Sequence, residues 1–103
     1  GERVINTLSN KELTIVGLEF DGEYVGEDSY NFMTPNMNRM NIAKTTGCMG
    51  YGRDAICVGA QVIDRLNNYS TVIGLMMNGN LVIKSRYNFI TSNVNPREVV
   101  ITR

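Results

Sequence analysis

A small, mainly β domain with one short helix is what this sequence predicts, and three observations carry that prediction. Short runs of β-branched and apolar residues are separated by Asp-Gly, Asn-Gly and Asn-Asn pairs, which accept the backbone of a tight hairpin turn. Thr34-Pro35, set among Met33, Met37 and Met40 at spacings of four and three, announces a helix. The chain has 103 residues, 43% hydrophobic and 19% charged, the make-up of a single folded domain with a modest core.

Taken in order, Arg3–Leu8 reads as a short strand or arm that ends at a Ser9-Asn10 turn. Leu13–Phe20 is the next strand, and Asp21-Gly22 returns it through Glu23–Gly26. A two-residue turn there sets Phe20 opposite Glu23, Leu18 opposite Val25 and Glu19 opposite Tyr24. Glu19, Asp21, Glu23, Glu27 and Asp28 then gather around one tip. They lack the alternating ligand pattern of a calcium loop, so a solvated hairpin end is expected, with no metal.

The helix is placed over residues 35–46. Thr34 supplies the N-cap oxygen, Pro35 fits the first helical position and Gly47 suits a left-handed C-cap. Met33, Met37 and Met40, with Ala43 or Lys44 beyond, form a stripe expected to cover an open face of the sheet. Residues 47–59 read as a flexible glycine-rich connector. The run Gly47-Cys48-Met49-Gly50-Tyr51-Gly52-Arg53 lacks the Gly-Lys-Ser/Thr ending of a phosphate loop, although Arg53 over such a backbone suits an anion. Cys48 and Cys57, in a chain without histidine, make no metal site; a disulfide between them is one option, and buried reduced thiols are the expectation in the absence of a secretory signal. No internal repeat divides the chain on this reading.

The C-terminal stretch is the most regular. Val62–Leu66 and Ser70–Met77 flank Asn67-Asn68, and Asn78-Gly79 leads into Leu81–Arg86. A two-residue turn sets Met77 opposite Asn80, Leu75 opposite Val82, Ile73 opposite Lys84 and Thr71 opposite Arg86. Val72, Gly74 and Met76 then share the other face with Leu81, Ile83 and Ser85. A polar loop, an Asn95-Pro96 turn and a last strand over Glu98–Thr102 complete the chain.

This layout resembles the SH3-like small barrels, the group that includes KOW and Tudor-type modules. The resemblance rests on Gly59-Ala60-Gln61-Val62 as an opening strand, on Thr71-Val72-Ile73-Gly74 and Asn78–Ile83, and on a short turn with Pro96 before a closing strand. It covers roughly the last two-fifths of the chain and implies a small antiparallel barrel or meander. Residues 1–52, an acidic hairpin and the helix, would pack on barrel strands 59–103. The family binds proline-rich peptides, methylated side chains, nucleic acids or proteins. The aromatic cage of methyl-lysine readers is not matched by Tyr69, Tyr87 and Phe89.

Formal net charge is zero, which argues against a protein that grips nucleic acid over its whole surface. The distribution is polar, however. Residues 1–38 hold seven acids against two bases, a balance of −5, and residues 39–103 hold eight bases against three acids, a balance of +5. Either the halves neutralise each other, or two faces of opposite sign favour head-to-tail contact. No stretch has the apolar length of a membrane span, and Glu2 and Arg3 break any signal-peptide pattern, so a cytosolic setting is expected.

No histidine is present and no nucleophile has a base partner, so neither catalysis nor a cofactor is expected. The first functional reading is a protein-interaction module that docks on a protein partner or on copies of itself. It rests on the apolar face of Ile73, Leu75, Met77 and Val82. Heavy asparagine use accompanies AT-rich coding and suggests a phage or mobile-element product acting on a host protein. The second reading is a nucleic-acid-binding barrel using Lys84, Arg86, Tyr87, Phe89 and Arg97, the mixture that phosphate contact and base stacking require.

Overall fold

The structure, a computed structural model, describes residues 1–50 and 52–102. Twelve strands run through them: β1 Arg3–Asn6, β2 Lys11–Leu18, β3 Tyr24–Glu27, β4 Met33–Met37, β5 Ile42–Lys44, β6 Cys48–Met49, β7 Ile56–Cys57, β8 Gln61–Asp64, β9 Tyr69–Met76, β10 Leu81–Ser85, β11 Ile90–Val94 and β12 Val99–Ile101. The mainly β expectation holds. The helix does not: residues 35–46 are divided among β4, a 3-10 turn over Arg39–Asn41 and β5. Asn36 adopts φ +59° and Asn38 caps only the short turn, so the backbone never repeats a helical conformation. The methionine stripe dissolves accordingly, with Met37 in the core and Met33 and Met40 exposed.

Among the described residues, ten strands form one antiparallel sheet and β6 pairs with β7 separately. The sheet is open, since β4 and β11 end its main path. Its pairing has a pattern the sequence reading did not anticipate. β5, β1, β2, β3 and β4 lie side by side in that order, and β12, β8, β9, β10 and β11 repeat the same order. In each set a 3-10 turn, Arg39–Asn41 or Pro96–Glu98, leads into the strand that returns beside the first.

The chain is therefore an internal duplication, contrary to the expectation of no repeat. Residues 1–45 align with 59–102 once Ser9 is skipped, and 17 of the 44 paired positions are identical. Val4, Ile5, Thr14, Gly17, Leu18 and Val25 correspond to Val62, Ile63, Thr71, Gly74, Leu75 and Val82, and Tyr30-Asn31-Phe32 to Tyr87-Asn88-Phe89. The hydrogen bonds repeat as well. Thr45 Oγ1 donates to Arg3 O at 3.0 Å, and Thr102 Oγ1 donates to Gln61 O at 3.2 Å. Asn38 and Asn95 each accept the amide two residues on, at 2.9 Å.

Both glycine turns are longer than the two-residue form. Glu19 N–H donates to Glu23 O and Met76 N–H donates to Asn80 O, closing three-residue loops in which Gly22 and Gly79 take φ near +88° and +89°. The Asp21 and Asn78 side chains accept the N–H of Glu23 and Asn80, which favours this loop over the shorter one. Leu75 consequently faces Leu81, and Leu18 faces Tyr24, one residue off the expected registers. A bulge at Val16 in β2 and at Ile73 in β9 then shifts the pairing by one more.

Each unit has its own core. Val4, Leu13, Met37 and Ile42 form the first, with Ile15 and Tyr24 against it. The second contains the matching Val62, Val72, Leu81 and Val94, together with Ile83, Leu75 and Ile56. A third cluster, Ile5, Ala43, Met76 and Val82, joins the units where β5 pairs with β9. Residues 47–59 are not a plain connector. Cys48 and Cys57 face each other across β6 and β7 and are disulfide-bonded, so the reduced-thiol expectation is corrected. The hairpin inserts Ile56 into the second core; Tyr51 of the phosphate-loop-like run lies outside the described residues.

Candidate binding surfaces

Three loops share one construction. In 28–32, 64–68 and 85–89 the first residue's N–H donates to the carbonyl of the fifth, and an asparagine (Asn31, Asn67 or Asn88) takes the left-handed conformation at the fourth. The first side chain then accepts two amides. Asp28 Oδ1 takes those of Tyr30 and Phe32 at 2.8 and 3.0 Å, and Ser85 Oγ takes those of Tyr87 and Phe89 at 3.2 Å. Asp64 Oδ1 takes those of Leu66 and Asn68 at 2.8 and 2.9 Å. The Asn68 amide above all holds the Asp64 carboxyl below its usual range; desolvation, the next effect in size, opposes it, and the Leu66 amide and the Asn68 side chain add to the lowering.

The loops between β3 and β4 and between β10 and β11 thus present a Tyr-Asn-Phe tip twice. Tyr30 and Phe32 are exposed, and so are Tyr87 and Phe89. The Arg86 guanidinium lies 5.2 Å from the Tyr87 ring centroid, a cation–π contact that stiffens the second tip. Beneath each tip runs a groove. That of the second unit is lined by Asp64, Asn68, Tyr69, Arg86, Tyr87 and Phe89. That of the first is lined by Lys11, Glu12, Asp28, Ser29 and Tyr30, with Glu27 and Arg3 among the others, and Arg3 pairs with Glu12 at 2.9 Å. The two grooves share a backbone and differ in charge.

The nine residues singled out from sequence fall into separate places. Leu75 and Val82 are buried and Ile73 is half-buried against the first unit, so three of the four apolar positions are spent inside the chain. Met77 is exposed at the tip of the β9–β10 loop. Arg86, Tyr87 and Phe89 come together at the second tip, Lys84 is half-buried in β10, and Arg97 is exposed in the turn before β12. Tyr30 and Phe32 were missed, although the triplet Tyr-Asn-Phe stands twice in the sequence.

The five acids expected at one tip divide. Glu19, Asp21 and Glu23 are close together, whereas Glu27 and Asp28 lie at the far end of β3. Two of the three accept backbone amides, Glu19 from Asn36 at 2.8 Å and Asp21 from Glu23 at 3.0 Å. These bonds account for the cluster as turn and bulge chemistry. No protein-family model matches the chain, and searches of curated proteins and of solved structures give no match either. No helix among the described residues is long and apolar enough to cross a membrane.

Proposed function

We propose that this chain is a non-catalytic binding module, two SH3-like units in tandem that dock a protein partner through the paired aromatic tips. One observation carries the reading: an exposed Tyr-Asn-Phe tip is built twice, each time held by a side-chain acceptor at the loop's first position. Rigid aromatics in water are costly to keep unless they meet something, and they bring large contact area at small entropic cost. The SH3-like reading is supported by the strand order and by the 3-10 turn before the returning strand, now in both halves. The partner is a host protein if the gene is phage-borne. The disulfide favours an oxidising compartment over the cytosolic setting expected from sequence.

A second reading, nucleic-acid binding by the second unit, is favoured by Arg86 stacked on Tyr87 beside Tyr69 and Phe89. The first groove sets Glu12, Glu27 and Asp28 against Lys11 and Arg3, with Arg3 paired to Glu12 at 2.9 Å, and lacks a counterpart of Arg86, so such binding would favour the second unit. Pull-down from host lysate and titration of labelled oligonucleotides over a salt series separate the two. We expect a captured protein whose retention falls at least tenfold in Tyr30→Ala/Phe32→Ala and likewise in Tyr87→Ala/Phe89→Ala, since two linked sites act by avidity. Salt-sensitive oligonucleotide binding lost in Arg86→Ala would reverse the order of the two readings.

A further inference from the structure

The junction between the units is half of a contact that the two outer ends leave open. Inside the chain, β5 lies against β9, with Ala43 opposite Met76 and Lys44 opposite Leu75. Ala43 is fully buried there; a Cβ on Gly74 would stand 2.9 Å from its methyl, so the glycine makes the close approach possible. The duplication gives every one of these positions a counterpart. β12 corresponds to β5, and among the described residues it pairs only with β8. Val100, in the place of Ala43, is 69% exposed. Gly17 corresponds to Gly74, and only Val25 comes within 4 Å of its added Cβ. Leu18, in the place of the 7% exposed Leu75, is 66% exposed, and Val16, Phe20 and Met33 are exposed on the same unit.

We infer that a second copy of this chain completes the contact, its β12 adding to the free edge of β2 in a head-to-tail arrangement. Val100 of one copy then lies on Gly17 of the next, with Val100 opposite Glu19 and Ile101 opposite Leu18, as Ala43 and Lys44 lie opposite Met76 and Leu75 inside the chain. Ile63 and Val25 take the places of Ile5 and Val82. Charge agrees with this pairing. Residues 1–45 hold seven acids against four bases, a balance of −3, and residues 59–102 hold four bases against two acids, a balance of +2. Glu19 is the one polar replacement, for Met76, and its carboxylate already accepts the Asn36 amide, which lowers the cost of covering it. Because the two surfaces differ, the contact does not close on itself and propagates. Free strand edges are the usual site of such addition.

The inference deepens the self-association side of the binding reading and uses neither aromatic tip. Single variants Val100→Cys and Glu19→Cys are mixed in a glutathione redox buffer and their products mapped by non-reducing electrophoresis and peptide mass. The mixed Val100→Cys/Glu19→Cys disulfide is expected at least tenfold above either homodimer, and Ile101→Cys with Leu18→Cys should behave alike. Light scattering of the unaltered chain should show mass rising with concentration, lost in Gly17→Val, whose side chain has room within one copy, and in Val100→Lys. Homodimeric Val100→Cys as the main product, or a monomer mass at all concentrations up to millimolar, overturns the inference. Alanine at all four tip aromatics should leave both readouts unchanged, so failure of the tips as a docking site and failure of this contact are told apart.

Discussion

Gly26 of the first unit and Ile83 of the second occupy one position in two copies of a backbone, and the space around them is filled in opposite ways. At Gly26 a Cβ would fall 2.7 Å from Met37 Cε and 3.2 Å from Leu13 Cβ, so side chains from β2 and β4 already claim the space. In the second unit Ile83 fills it from β10, and the neighbours shrink to Ser70 and Val94. Volume has moved between strands while the strand order stayed the same. Core ends differ too. Ile56 from the disulfide hairpin closes the second core, whereas beside the first core a cavity remains, lined by Val4, Ile15, Tyr24, Ile42 and Met77 among others. Topology survives exchange of packing as long as total volume and pattern are kept.

The sharpest way to break this comparison is to remove the element that only one unit has. Cys48→Ser with Cys57→Ser opens a cross-link spanning a sequence separation of nine residues. The chain-entropy account puts the loss at about 2–3 kcal/mol for a loop of this size. Because Ile56 travels with the hairpin, we expect amide hydrogen exchange to rise chiefly in β8–β12, with β1–β5 little changed. Urea unfolding gives the size and exchange mass spectrometry the location. Equal loosening of both units would mean that the hairpin supports the junction rather than the second core.

The packing exchange itself is tested by transplanting it. Gly26→Ile alone should destabilise by about 1–3 kcal/mol, because Met37 and Leu13 stand where the new side chain must go. Adding Leu13→Ser and Met37→Val copies the second unit's solution and should recover most of that loss. Equilibrium denaturation of the single, double and triple variants measures the coupling. An additive result, with no recovery, would show that the two cores are not interchangeable despite their common register.

Much of this duplication was written in residues that the sequence reading used for something else. The turns were legible, since Asp21-Gly22, Asn78-Gly79 and Asn67-Asn68 all lie in hairpin loops. Their lengths were not, because a side-chain acceptor at Asp21 or Asn78 decides between two- and three-residue loops, and that competition is settled in three dimensions. The edge strands β4 and β11 were missed in both halves, one as a helix and one as a loop. Their middles, Thr34-Pro35-Asn36 and Thr91-Ser92-Asn93, are polar, and Asn36 and Asn93 bulge with positive φ, so no alternation appears. Such bulges and Pro35 also blunt the edge against unwanted pairing. The repeat was hidden by Ser9, which shifts the frame by one residue, and by swaps such as Leu13 for Ser70. Of the candidate site, Arg86, Tyr87 and Phe89 were legible together, while the apolar patch was not, because which face of β9 the first unit covers depends on the bulge at Ile73.

The smallest expected effect concerns position 6 against position 64. Asn6 and Asp64 play one part, each accepting the amide two residues on, at 3.0 Å in Leu8 and 2.8 Å in Leu66. Only Asp64 titrates. Its carboxyl is held below the usual range, chiefly by the Asn68 amide, so the folded state binds its proton less readily than the unfolded chain does. The stabilisation is therefore complete above the unfolded value of about 3.9 and is lost as pH falls through the lower folded value. Amide shifts of Leu66 and Asn68 followed from pH 6 to pH 2 should move together with a midpoint below about 3.9. Exposure of the loop keeps the accompanying loss of stability small. In Asp64→Asn the acceptor remains and the proton does not, so the midpoint should vanish from those two amides while the loop persists, as it does at Asn6. A midpoint that survives the substitution would place the titration elsewhere and leave the two positions equivalent in pH response as well as in geometry.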